Sequence, residues 1–339
     1  MFEGKFLWHN RKWLYEKKAL IRYEEYDMES LILGIRVILP IIVFMGLGYL
    51  FRTIRVAGEK TFREMNKVCF RCFLPVMIFY NIYRSNLHED FELSVLIFAI
   101  ISVLCVFFAA ILFTNRAFRG SKNRSVVIQG IYRSNYVLFG MEVTRTICGE
   151  ENMWMASILA AVIVPIFNVL AVVLFETYGS ETKNKLHVLK GIVTNPLIIA
   201  SVLGIVVKLI DVSLPGLAET IVGNISRIAT PLALICLGGT FAFKKVAEYK
   251  KELLVSCLGR LVVVPLIFLS IAVFLGIRGS NLVALMVMLA SPAAISSYTM
   301  ACEMKGNGEL AGMIVVFTSV FSIISIFLWV FTLHMMHLF

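Results

Sequence analysis

Apolar runs of membrane-spanning length, separated by short polar loops, recur along the whole chain. They fall at roughly 31–51, 64–82, 92–113, 125–144 and 153–175, then at 190–210, 218–243, 252–276, 281–303 and 309–333. A helix needs about 20 apolar residues to cross the hydrocarbon core of a bilayer. The pattern therefore predicts an all-α polytopic membrane protein with ten transmembrane helices. A polar stretch at 176–189 splits the ten into two fives, giving a first repeat at 31–175, a cytoplasmic linker at 176–189 and a second repeat at 190–339. Two similar units with an odd number of spans must run through the membrane in opposite directions, so the expectation is an inverted repeat.

Weak internal matches in a shared order support that split. Pro40 in span 1 corresponds to Pro196 in span 6, and RCFLPVMIF in span 2, with Arg71 and Pro75, to RIATPLALI in span 7, with Arg227 and Pro231. Span 4 corresponds to span 9 and is the least hydrophobic span of its half. In span 9 an apolar run meets Ser291-Pro292 and then a small, hydroxylated stretch containing Ser296, Ser297 and Thr299. Proline lacks an amide hydrogen and disfavours helix at the residue before it. Two readings follow, an interrupted helix and an ordinary proline kink. In the first, the free half-helix ends become binding groups, and Arg133-Ser134-Asn135 supplies the matching interruption in span 4. The two breaks would then cross near the bilayer midplane.

Composition agrees with the hydropathy pattern: 59% of residues are hydrophobic and 16% charged, with a mean hydropathy of +0.85. The net charge of +10 would suggest nucleic acid in a soluble protein, but here the basic residues lie in short loops, so no nucleic-acid partner is expected. Sixteen of them follow the odd spans: Arg52, Arg55, Lys60 and Arg63; Arg116, Arg119, Lys122 and Arg124; Lys183, Lys185 and Lys190; Lys244, Lys245, Lys250 and Lys251; and Lys305. Each even span is followed by one (Arg84, Arg145, Lys208, Arg278). Basic loops stay in the cytoplasm, which predicts extracytoplasmic N- and C-termini in the plasma membrane. Residues 1–30 form an extension with six basic and six acidic residues and an apolar stripe at Phe6/Leu7, Trp13/Leu14 and Leu20/Ile21. It reads as an interfacial amphipathic segment, or as sequence upstream of a start at Met28.

No phosphate-binding loop, dinucleotide fingerprint or HExxH is present, and Cys69-x-x-Cys72 lacks the partners of a zinc site. The expectation is no enzyme, no metal and no cofactor. Charges at membrane depth are costly and mark function by default. Arg133 beside Asn135 is placed to hold a carboxylate, or to tether the bundle. Glu142 follows the span-4 break as a possible proton carrier, or pairs with Arg145 by helical spacing. Glu303 reads as a membrane-edge residue beside Lys305, Arg71 and Arg227 as structural braces before a lining for an anion path, and Arg260 carries no assignment.

The runs LASPAAISSYTMACEMKGNGELAGMIVVFTSVFSIISI, FREMNKVCFRCFLPVMIFYNI, ATPLALICLGGTFAF and NPLIIASVLGIVV together resemble the auxin efflux carrier family, which includes plant auxin exporters and bacterial malate/malonate permeases. The resemblance covers nearly the whole chain after Met28. It implies ten spans in two inverted sets of five, with crossing broken helices in spans 4 and 9. It also implies an elevator mechanism, with spans 1, 2, 6 and 7 as scaffold and the other six as the moving domain. Asn135, Ser291 and Pro292 match the family's crossover positions; Met141 departs from it, standing where many members have proline. The expected function is a secondary transporter of a small organic anion, a dicarboxylate or an auxin-like acid, held by Asn135, Arg133, Ser291, Pro292, Ser296 and Ser297. Its partners are that anion, the lipid bilayer and a second copy in a homodimer. The alternatives are a membrane sensor on the same fold and a sodium-coupled carrier.

Overall fold

The computed structural model describes residues 38–85, 92–179 and 185–339. The extension at 1–30 and linker residues 180–184 lie outside the described residues. Among the described residues every regular element is helical; Ser134 and Ala293 form an isolated antiparallel bridge. In chain order the helices are α1 (Ile38–Thr53), α2 (Glu59–Val68), α3 (Leu74–Tyr83), α4 (Leu93–Ala117), α5 (Arg124–Tyr132), α6 (Met141–Cys148), α7 (Trp154–Gly179) and α8 (Lys185–Val193). They continue with α9 (Pro196–Leu209), α10 (Gly216–Thr240), α11 (Lys250–Leu258), α12 (Val264–Phe274), α13 (Gly279–Ala290), α14 (Ile295–Glu303) and α15 (Gly308–Met335).

Among the described residues, five helical stretches are long and apolar enough to cross a membrane: α4, α7, α10, α15 and the continuous Lys250–Phe274. Twenty-five helical residues rise about 37 Å, more than the roughly 30 Å of hydrocarbon. Their outer faces carry exposed apolar side chains such as Phe108, Leu112, Leu254, Leu266 and Phe274, which water would penalise and lipid accepts. The chain is a multi-pass membrane protein.

Proline places the irregular turns. In a regular α-helix Pro75 and Pro265 would each clash with the carbonyl four residues earlier, at Arg71 and Leu261. Both of those residues lie in wide π turns, Cys69–Phe73 joining α2 to α3 and Gly259–Val263 joining α11 to α12. Pro231 instead sits inside an uninterrupted α10. Arg71 and Arg227, which the sequence pairs, therefore stand in different local backbone.

Helix α3 packs on α9 and α10, and α2 packs on α10. Helix α1 joins them at backbone distance: a Cβ at Gly238 would lie 2.0 Å from the Met45 carbonyl oxygen, and one at Gly48 2.0 Å from that of Ile235. Carbonyls cannot rotate aside as side chains do, so the two helices would have to separate. Gly238→Val is expected to lower the melting temperature of the detergent-solubilised protein by several degrees, consistent with an overpacking cost of about 1–3 kcal/mol. An unchanged melting temperature would show that α1 yields freely.

The opposite condition holds for α5 and α13. Every residue in Ser125–Tyr132 and in Asn281–Ala290 is buried. Both helices are enclosed by α4, α7 and α15, α5 also by α11 and α13 also by α12. Their polar residues Ser125, Gln129 and Asn281 are thereby kept away from lipid. Enclosure of this kind permits a break in the backbone, because protein groups then replace water as hydrogen-bond partners.

Candidate functional site

Helix α5 stops at Tyr132, and the chain continues extended, with Arg133 at φ −90°, ψ 107°. Helix α13 stops at Ala290, with Ser291 at φ −61°, ψ 149° and Ala294 at φ −66°, ψ 135°. The two extended stretches meet. The Asn135 N–H donates to the Pro292 carbonyl at 2.7 Å, and the Ala294 N–H donates to the Arg133 carbonyl at 3.2 Å. The Ala293 N–H goes to Thr318 Oγ1 at 3.1 Å. These bonds explain how the α5 stretch breaks without a proline: the antiparallel partner supplies what the helical ladder gives up. A π turn at Tyr136–Gly140 and then α6, beginning at Met141, resume the helix.

Four half-helix ends converge here, and they separate by sign. The first amides of a helix have no acceptor within it, and its last carbonyls no donor. The first intrahelical acceptances are Phe139 N–H to Asn135 O and Ser297 N–H to Ala294 O. The amides of Tyr136, Val137 and Leu138, and those of Ile295 and Ser296, therefore come before the helical ladder begins. All five of these residues line one cavity of about 610 Å³. Helix N-termini carry partial positive charge, so the cavity receives the positive ends.

The negative ends are covered by one side chain. Arg260, 1% exposed, donates through Nη1 to the carbonyls of Ile131 (3.1 Å) and Tyr132 (3.0 Å) at the end of α5. Through Nη2 it reaches Met288 (2.9 Å) and Leu289 at the end of α13, and through Nε it reaches Ser291 (2.9 Å). A guanidinium has five N–H donors, and all five are used on helix-end carbonyls.

The predicted site residues divide. Arg133, Asn135 and Ser296 line the cavity. Ser291, Pro292 and Ser297 are buried and do not line it. Arg133, 3% exposed, donates from Nη2 to Asn168 Oδ1 (2.7 Å) and Ser296 Oγ (2.9 Å), and from Nη1 to Met300 Sδ. It ties the α5 break to α7 and α14 while facing the cavity. Glu142 also lines the cavity, and its Oε1 accepts from Arg145 Nη1 at 2.8 Å. Glu303 accepts from the buried Asn66 at 3.3 Å.

Arg227 lines the cavity, whereas the exposed Arg71 does not. Asn81, Ser226 and Thr230 also line the cavity. On the crossing side, Ser134 Oγ, Asn135 Nδ2 and Asn168 Nδ2 are buried donors with no partner among the described residues. Pro40, Ile41, Phe44, Leu74, Ile78 and Phe167 make the remaining wall largely apolar. Asn168 and Arg260 went unassigned at the sequence level. The available signal was a polar or charged residue in mid-span, VPIFNVL and GRLVVVP, with no second residue beside either to suggest a partner.

The sequence that forms this crossing has relatives among known proteins. The profile of the family described as "Membrane transport protein" matches residues 33–330. An "Uncharacterized transporter" of Methanothermobacter thermautotrophicus is 27% identical over 295 residues, covering 86% of this chain and 96% of its own. "Uncharacterized transporter YfdV" of Escherichia coli is 24% identical over 273 residues, covering 78% of this chain and 86% of its own. A family match over nearly 300 residues spans both breaks and all the cavity-lining elements, and by it the chain belongs to the membrane transport protein family, that of the auxin efflux carriers.

Proposed function

We propose that the protein is a secondary transporter of a small organic anion, which binds in the 610 Å³ cavity at the crossing. The observation that carries this reading is the sign of the cavity wall. It combines the N-terminal ends of two half-helices, the Arg133 guanidinium, and unpaired donors on Ser134, Asn135 and Asn168. The carboxylate on that wall, Glu142, is paired with Arg145, so the wall favours anions over cations and neutral solutes. Arg133 acts there both as donor and as the clamp that orients Asn168 and Ser296. Ser291, Pro292 and Ser297 contribute by holding the crossing from behind.

Ten crossings in two inverted sets of five fit the element order if α2 with α3, α5 with α6, α8 with α9, α11 with α12 and α13 with α14 each count as one. The packing of α1, α2, α3, α9 and α10 on one another supports their role as the scaffold of an elevator, with the broken helices in the moving part. Homodimer formation through that scaffold belongs to the same reading, as do the plasma membrane and extracytoplasmic termini. Arg227, from the scaffold, favours a dicarboxylate such as malate or malonate over a monocarboxylate, because it offers a second cation apart from the crossing. The apolar wall favours the alternative, an auxin-like acid with an apolar body.

Thermal stabilisation of the purified protein across dicarboxylates, indole acids and amino acids, at two pH values, decides between these. A ligand that binds only the folded state at 100 times its Kd stabilises by about 2.7 kcal/mol, a shift of several degrees. Stabilisation by a dicarboxylate, reduced in Arg227→Ala, supports the two-cation reading. Stabilisation by indole acids alone supports the second. A response present only at the lower pH in the wild type, and at both pH values in Glu142→Gln, whose amide stands for the protonated acid, assigns proton coupling to Glu142. Stabilisation by a lipid and by no anion would replace the transporter with a sensor.

A further inference from the structure

The crossing of two broken helices leaves two clusters of carbonyl oxygens pointing inward, each at the negative end of a helix dipole. In carriers built on such crossings, unwound carbonyls and helix C-terminal ends are where a coupling cation is coordinated. Here the carbonyls of Ile131, Tyr132, Met288, Leu289 and Ser291 already receive the five N–H groups of Arg260. That side chain reaches them from the π turn at Gly259–Val263, an irregularity that turns it inward from a membrane helix. No carboxylate appears among its acceptors, so its partners are dipoles alone.

We infer that Arg260 is a tethered cation that takes the position of a coupling ion, and that the crossing therefore holds together without sodium. It is a positioning residue. By neutralising both negative ends from behind, it leaves the two positive ends uncompensated at the cavity. A carrier so built gains nothing from binding sodium at the crossing, and its anion moves independently of a sodium gradient. The anion part of this statement rests on the function proposed above; the ion part does not.

The test uses the full-length protein in detergent with no organic anion present, so that its failure is separate from failure of the transport reading. The wild type is expected to melt at the same temperature in sodium chloride and choline chloride of equal ionic strength. Arg260→Ala, which leaves five buried carbonyls without donors, is expected to melt about 5–10 °C lower. Methylguanidinium at millimolar concentration should restore part of the loss, as should sodium relative to choline, while the neutral isostere methylurea should not. Rescue by methylurea as strong as by methylguanidinium would reduce Arg260 to a packing residue. Stabilisation of the wild type by sodium would overturn the inference directly. If Arg260→Ala does not fold, Arg260→Lys keeps the charge and is expected to fold and to remain insensitive to sodium; a sodium-stabilised Arg260→Lys would count against the proposal.

Discussion

Arg133→Gln is expected to reduce anion binding and transport by about one to two orders of magnitude while leaving a folded, multi-pass protein. The magnitude follows from what the side chain does. A hydrogen bond to a charged group contributes about 1.5–3 kcal/mol, and a tenfold change in affinity is about 1.4 kcal/mol. Loss of the guanidinium removes the cation facing the cavity. It also releases Asn168 Oδ1 and Ser296 Oγ from their 2.7 and 2.9 Å bonds, so the neighbouring donors lose their orientation as well. The fold is expected to persist because the crossing is closed by backbone bonds and by Arg260, neither of which involves the Arg133 side chain. Proteoliposome uptake and thermal stabilisation by the identified anion, measured together, check this. Arg133→Lys should recover only a small part, since an ammonium keeps the charge but cannot reach two acceptors in the planar geometry of the fork. Full activity in Arg133→Gln would make the residue a tether and nothing more.

Asn135→Asp is expected to abolish transport and raise the melting temperature in the absence of any ligand. The substitution changes almost no volume but converts a buried donor, Asn135 Nδ2, into an anion beside Arg133 and the start of the Tyr136 half-helix. A carboxylate at a helix N-terminus is stabilised by up to about 2 kcal/mol in partly buried geometries. The carboxylate would act as a tethered substitute for the substrate, so anion-dependent stabilisation should vanish as the basal melting temperature rises. Asn135→Ala separates the effects: it should lower affinity without raising stability. If Asn135→Asp melted below the wild type, or still responded to anions, the positive character assigned to the cavity would be wrong.

The broad outline of the molecule was legible because lipid imposes a strong rule on sequence. Helices must be long and apolar, and they are so in α4, α7, α10, Lys250–Phe274 and α15. The break at Ser291-Pro292 was legible because proline disrupts a helix wherever it falls. The break at Arg133-Ser134-Asn135 was harder to see, since its cause is not local: Pro292 and Ala294 supply the hydrogen bonds that replace the ladder. Arg260 was invisible as a functional residue for the same reason. Its five acceptors lie 28 to 129 positions away in sequence and are all backbone carbonyls, which leave no mark in residue identity. Symmetry in the sequence suggested equal roles for Arg71 and Arg227, but one is exposed away from the cavity and the other lines it.

The join between Ser134 and Ala293 has an evolutionary consequence. Both hydrogen bonds across it run from main chain to main chain, so the crossing asks little of the side chains at those positions beyond small size. Mutation can exchange the groups that face the cavity without dismantling the frame that presents them. Relatives that share only about a quarter of their residues with this chain can thus inherit one architecture while their ligands diverge, and new specificity becomes accessible by single substitutions.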